Sequence, residues 1–260
     1  MKKFSKTLLC FVIGLSLLFV FSNVASALEI LLEPATAQRE IGGKVRVHIY
    51  ATGAVDLISM GVKVTFDPDV LEVDSAFKYE IDANSGWVMD ADGISGTTGD
   101  QYRPTEVEID NANGTVTMLG GNINGTATTG FSGKVLLGWI VFKAIGDGNS
   151  DINVDLAKYH PNDPTQTFDN FVSINGHVDE PANVPNNLGM VCVVVDAVEG
   201  DANGNGRAYY DDYALLNAAW NSSFGDANYN PAVDFDADER IYYSDYAILN
   251  ADWNRTTSCP

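Results

Sequence analysis

Two stretches near the C-terminus carry oxygen-bearing side chains at alternate positions. Asp201, Asn203 and Asn205 are followed at the twelfth position by Asp212, and Asp234, Asp236 and Asp238 are followed at the twelfth by Asp245. Alternate residues on a tight loop can aim their oxygens at one centre. Calcium, a hard cation, takes about 6–8 oxygen ligands at about 2.3–2.6 Å. The backbone carbonyl at position 7 of each loop, Arg207 and Arg240, would add a ligand, and the position-12 carboxylates would close each shell. The spacing predicts two calcium ions as the cofactors of this chain.

The loops are the front ends of an internal repeat. Arg207–Asn221 returns as Arg240–Asn254, an offset of 240 − 207 = 33 residues with eleven of fifteen positions identical. After each loop the apolar period changes to that of a helix. Tyr213, Leu216 and Trp220 fall at i, i+3 and i+7, and Tyr246, Leu249 and Trp253 repeat them. Two phased loops, each followed by the same amphipathic helix, are expected to pack their faces together across a pseudo-twofold axis. The loops differ in one respect. Position 6 is Gly206 in the first and Glu239 in the second, where a sharp turn favours glycine. Loop two offers four carboxylates and loop one two. Charge favours loop two and backbone geometry loop one; the expectation is that charge wins.

The elements that must carry this module lie upstream. From Leu28 to about residue 182 the pattern is β. Val45, Val47, Ile49 and Ala51 alternate with Arg46, His48 and Tyr50, which places His48 on the solvent face of a strand. Met60-Val62-Val64-Phe66, Val116-Met118, Val135-Leu137-Trp139-Val141 and Ile152-Val154-Leu156 follow, punctuated by turn pairs such as Gly42-Gly43, Asp67-Pro68 and Asn113-Gly114. Many short strands without intervening helices predict an antiparallel β-sandwich over 28–182. Residues 76–112 interrupt the rhythm with a polar stretch carrying Tyr79, Trp87 and Tyr102, which either cap the core or stack on sugar rings. Residues 183–199 read as a linker, although Met190–Val195 is apolar enough for a last strand, and 200–256 holds the loops.

The first 27 residues have the order of a secretory signal peptide: Lys2, Lys3 and Lys6, an apolar run from Leu8 to Phe21, and Ala25-Ser26-Ala27 as the cleavage site. Cleavage would leave 15 − 3 = 12 basic residues against 35 acidic, a net charge of −23. Such a surface repels nucleic acid and anionic membranes, and no membrane span is expected after cleavage. An oxidising compartment permits a disulfide between Cys192 and Cys259. His48, His160 and His177 lack zinc-ligand spacing, and no nucleophile motif or distinct carboxylate pair points to catalysis. The chain is therefore expected not to be an enzyme.

The segment from about Gly200 to Asn254 resembles a type I dockerin, the duplicated calcium-loop-and-helix module of cellulosomes. That resemblance implies EF-hand-like calcium sites at the positions named above. It also implies a partner surface just before the last ligand of each loop, at Tyr210-Asp211 and Tyr243-Ser244, whose near-identity would allow docking in two orientations. The run Val62–Val73, the strand from Lys44 to Ala51 and the stretch Gly138–Gly148 are similar to cohesins, the partners of dockerins. Carbohydrate-binding modules share such a jelly-roll sandwich, so fold alone does not choose between them. These resemblances imply a secreted, non-catalytic assembly protein. Its partners would be cohesin or dockerin modules on other proteins, with a link to polysaccharide catabolism or surface assembly. The alternative is a carbohydrate-binding protein that takes polysaccharide as its partner, and a glycoside hydrolase stands third.

Overall fold

The computed structural model describes residues 28–82, 85–86, 107–121, 130–157, 159–160, 163–167, 170–174, 176 and 189–257. The signal peptide, Trp87, Tyr102 and Cys259 fall outside the described residues. The strands in chain order are β1 Glu29–Glu33, β2 Thr36–Arg39, β3 Lys44–Leu57, β4 Ser59–Thr65, β5 Leu71–Lys78, β6 Glu80–Asp82, β7 Ser85–Gly86, β8 Val107–Asp110, β9 Thr115–Gly121, β10 Phe131–Ala144, β11 Gly148–Leu156, β12 Tyr159–His160, β13 Asp163–Thr167 and β14 Gly189–Val193. The C-terminal part adds helix α1 Tyr210–Ala218, short strand β15 Ser222–Ser223, a 3-10 turn at Pro231–Val233, short strand β16 Arg240–Ile241 and helix α2 Tyr243–Ala251.

The sandwich consists of a four-stranded sheet, order β1-β3-β10-β5, over a six-stranded sheet, order β2-β14-β11-β4-β9-β8. Valine, isoleucine and leucine at alternate positions supply the facing surfaces. Leu32, Ile49, Leu71, Leu137, Ile140 and Phe142 of the first sheet meet Met60, Val62, Val116, Met118 and Ile152 of the second in one buried cluster. Phe66 stands edge-on to Phe142 with ring centroids 5.3 Å apart.

Four sequence expectations are corrected here. The predicted linker over 183–199 contains β14, which pairs with β11 and, in parallel, with β2. The apolar run of Met190–Val193 is thus a sandwich strand, and the sandwich is not wholly antiparallel. The regular alternation of Val135, Leu137, Trp139 and Val141 also fails. A register shift between Leu136 and Gly138 breaks β10, and a bulge moves each later side chain to the opposite face. Ile140 and Phe142 therefore join the core in place of Trp139 and Val141. Glycine at 138 lets the backbone of β5 approach closely, because a Cβ there would lie 2.3 Å from the carbonyl oxygen of Phe77. Finally, His48 is fully buried rather than solvent-facing, and Arg46 beside it is 6% exposed. The outer face of the four-stranded sheet is covered by the C-terminal module.

That module has its own core of Val198, Ala202, Ala208, Leu216, Ala219, Val233, Phe235, Ile241 and Leu249. Of the predicted helix face only Leu216 and Leu249 are buried, while Tyr213 and Tyr246 are each 41% exposed. The helices are short, nine residues each, and Leu215 and Ile248 beside those leucines pack, partly buried, against the same core. Among the described residues no helix is long and apolar enough to cross a membrane.

Candidate functional site

The two acidic loops have the same internal wiring. In loop one, Asp201 accepts the amides of Asn205 and Gly206, Asn203 accepts Asn205, and Asn205 accepts Arg207. In loop two, Asp234 accepts the amides of Asp238 and Glu239, Asp236 accepts Asp238, and Asp238 accepts Arg240. The position-12 carboxylates match as well. Asp212 accepts Ala202 at 2.9 Å and Tyr209 at 2.8 Å, and Asp245 accepts Phe235 and Tyr242, both at 2.8 Å. Each therefore closes its loop and caps the helix that follows, where orphan amides need an acceptor.

Backbone geometry repeats too. Positions 4 and 6 are left-handed in both loops: Gly204 and Gly206 at φ +72° and +85°, Ala237 and Glu239 at +58° and +73°. A non-glycine residue in this region costs about 1–2 kcal/mol, so loop two carries two strained residues where loop one has glycines. Arg46 of β3 contacts both. Its Nη2 donates to the Ala237 carbonyl at 3.1 Å, and its Nη1 lies 2.9 Å from Glu239 Oε1. The departure at position 6 thus has a partner outside the repeat.

Asp201, Asp212, Asp234 and Asp245 are buried, while Asn203, Asn205, Asp236, Asp238 and Arg240 are exposed and Arg207 is half-buried. Burial pushes the carboxyls of Asp201, Asp212 and Asp234 above the usual range, and pushes Asp245 up to about 7. One ligand oxygen each from Asp234, Asp236 and Asp245 lies within 4.8 Å of the other two. Oxygens held at about 2.4 Å from a common centre can be no more than about 4.8 Å apart, so this set fits a calcium ion. A divalent cation there would offset the lost hydration of the acids. Loop one, with two carboxylates and two amide oxygens, fits more weakly by charge.

Reciprocal contacts relate the repeats. Asn221 N donates to the Ile241 carbonyl and Asn254 N to that of Ala208, both at 2.9 Å; each pair is displaced from the other by the repeat offset. Phe224 N bonds Glu239 O, and Thr257 N bonds Gly206 O. Trp220 stacks on Tyr242 with ring centroids 5.6 Å apart, and Trp253 lies over Tyr209 at 5.4 Å. The helices leave two equivalent clefts of about 260 and 320 Å³, lined by Tyr210, Leu249 and Trp253 in one and by Tyr243, Leu216 and Trp220 in the other, with Tyr213 and Tyr246 shared. Tyr210 and Tyr243 are each 64% exposed. Asp211 and Ser244 beside them are exposed as well, but Asp211 also accepts the side-chain amides of Asn203 and Asn205 at 2.7 and 2.8 Å.

A different face of the module meets the sandwich. Phe224 packs on Trp139 with ring centroids 4.8 Å apart and edge-on to His48 at 5.5 Å, and Tyr229 stacks on His48 at 5.9 Å. Burial, reinforced by Arg46 and Lys134, holds the His48 imidazole neutral, its pKa lowered to about 3. Gln38 Nε2 donates to Asp201 Oδ2 at 3.1 Å. Cys192 is buried and disulfide-bonded.

Of the predicted ligands the structure brings Asp234, Asp236 and Asp245 to one centre, and hydrogen bonds within the loops tie Asp201, Asn203 and Asn205 in loop one and Asp238 in loop two to their neighbours. Gln38, Arg46, His48, Phe224 and Tyr229 were absent from the sequence-based site. The glutamate at position 6 was the one available signal: a charged side chain in a strained position calls for a partner.

No family model and no curated protein matches the sequence. The solved structures similar to it are cohesins. One is a cohesin–dockerin complex from Clostridium thermocellum, with 12% identity and a TM-score of 0.43 over 65% of this chain and 99% of that one. Another is the third ScaC cohesin of Acetivibrio cellulolyticus in complex with the ScaB dockerin, with 19% identity and a TM-score of 0.40 over 65% and 99%. A non-cellulosomal cohesin from Archaeoglobus fulgidus has 11% identity and a TM-score of 0.41 over 64% and 92%. At such values the likeness says nothing of what this chain binds.

Proposed function

We propose that this chain is an exported, non-catalytic assembly protein. Its C-terminal dockerin-like module binds two calcium ions and docks on a cohesin-type module of another protein through the face built by α1 and α2. The observation that carries the reading is the matching set of amides accepted by Asp201 and Asp234 within their loops on either side of a pseudo-twofold, with Tyr210 and Tyr243 exposed at equivalent places. Ligands in loop one are Asp201, Asn203, Asn205, the Arg207 carbonyl and Asp212. Those in loop two are Asp234, Asp236, Asp238, the Arg240 carbonyl and Asp245.

In this reading the sandwich is a platform rather than a free receptor. The outer face of β3 and β10 is taken by the module of the same chain, through Phe224, Tyr229 and Glu239. A dockerin of another protein would need to displace that module or use the other sheet. Calorimetric titration of the whole exported protein with calcium, followed by titration with a type I cohesin module, tests the reading. Two calcium ions bound per chain and calcium-dependent cohesin binding are expected. Absence of calcium binding would end the proposal, and binding of calcium without cohesin would remove its docking half.

A further inference from the structure

Asp201 and Asp234, the first residues of the two loops, each accept two amides from their own loop. Each also accepts a side-chain donor, and here the repeat breaks. The Tyr229 hydroxyl donates to Asp234 Oδ2 at 2.5 Å from five residues upstream. The residue five upstream of Asp201 is Asp196, an acid that cannot take that place when ionised. Gln38 Nε2 fills it from β2 of the sandwich, at 3.1 Å from Asp201 Oδ2. Gln38 is 6% exposed, and its Oε1 accepts the Val198 amide at 3.4 Å, so one side chain fastens both the start of the module and the loop. Loop one seats closely on β2: a Cβ on Gly204 would fall 1.9 Å from Thr36 Oγ1.

We propose that Gln38 is a positioning residue for the cation of loop one, lent by the sandwich where the repeat has no donor of its own. The inference rests on the calcium reading of the loops. A donor behind a ligating carboxylate fixes its orientation, and loss of such a donor costs about 10–100-fold in metal affinity. The need is greatest in loop one, which has fewer carboxylates to hold a cation. Binding linkage is reciprocal, so calcium in loop one draws the module onto the sandwich by the same factor by which docking tightens calcium.

The test is a calcium titration of the exported protein followed by the amide resonances of Gly206 and Glu239, the position-6 residues that report each loop. Gln38→Met keeps the side-chain length and removes the donor. The expected result is about tenfold weaker calcium at Gly206 with the Glu239 response within about twofold of wild type. An unchanged loop one in Gln38→Met overturns the proposal. Equal weakening at both loops also overturns it, because that is the signature of a loosened interface rather than a positioned ligand. If neither amide of the wild type responds to calcium, the calcium reading itself falls, and this inference with it.

Discussion

Arg46 Nη1 lies 2.9 Å from Glu239 Oε1, joining a strand of the sandwich to the strained sixth position of loop two. The arginine is 6% exposed and the glutamate 48%, so the pair sits at the lip of the interface. The same guanidinium holds the carbonyl of Ala237, the other left-handed residue of the loop.

Arg46→Met should therefore destabilise the module by about 1.5–3 kcal/mol, the range for losing a hydrogen bond that involves a charged group, here the one to the Ala237 carbonyl. Glu239→Gly should recover about 1 kcal/mol in that background, where relief of backbone strain is its main effect. In wild type the same change also breaks the ion pair and should gain less. Denaturant melts of the two single variants and the double variant measure the coupling. Strict additivity would show that the pair does not offset the strain.

His48 sets a pH dependence with a definite sign. Its folded pKa is about 3 against an ordinary value of 6.5, so the unfolded chain takes up a proton that the folded chain refuses. The stability this gives is complete above about pH 6.5 and is lost as pH falls toward about 3. His48→Phe keeps an aromatic ring against Phe224 and Tyr229 and removes the titration. The difference in urea midpoint between wild type and variant should change steadily in favour of the variant from pH 7 to pH 4. A constant difference would contradict the buried neutral imidazole.

Removing calcium should unfold α1 and α2 and spare the sandwich, because the module core is small and its acids repel one another. Free calcium at about 100 times Kd should stabilise the module by about 2.7 kcal/mol per site. Helical circular dichroism that is unchanged by chelator would exclude this. Between the loops, Asp234→Ala should abolish the tighter site and Asp201→Ala the weaker one, as carboxylate count predicts. A tighter site that survives Asp234→Ala would reverse the order.

The equivalence of Tyr210 and Tyr243 predicts a redundant partner surface. Either tyrosine changed singly to alanine should leave cohesin affinity within a fewfold, since the module can turn about its pseudo-twofold and present the other. Changing both should cost at least about 30-fold, equal to the ~2 kcal/mol of one hot-spot aromatic. Surface plasmon resonance on an immobilised cohesin decides it. A full loss from one single variant would mean that only one orientation is used.

The acidic loops and the helices were legible in the sequence because their determinants are local. Oxygen-bearing side chains at alternate positions, a capping carboxylate and a leucine three residues beyond Tyr213 or Tyr246 all lie within one repeat. The β-sandwich was legible for the same reason, from two-residue alternation along each strand. Where a bulge resets the alternation at Gly138, or where β14 inserts beside β2 from 154 residues away (Ala37 to its strand partner Val191, 191 − 37 = 154), sequence periodicity could not follow. The tertiary structure alone decided that the module closes on its own sandwich. Gln38 meets Asp201 across 163 residues, and Arg46 meets Ala237 across 191. Such contacts obey no local period. They depend on which faces of two cores come together, and on a buried histidine and arginine whose strand, read alone, places them in water.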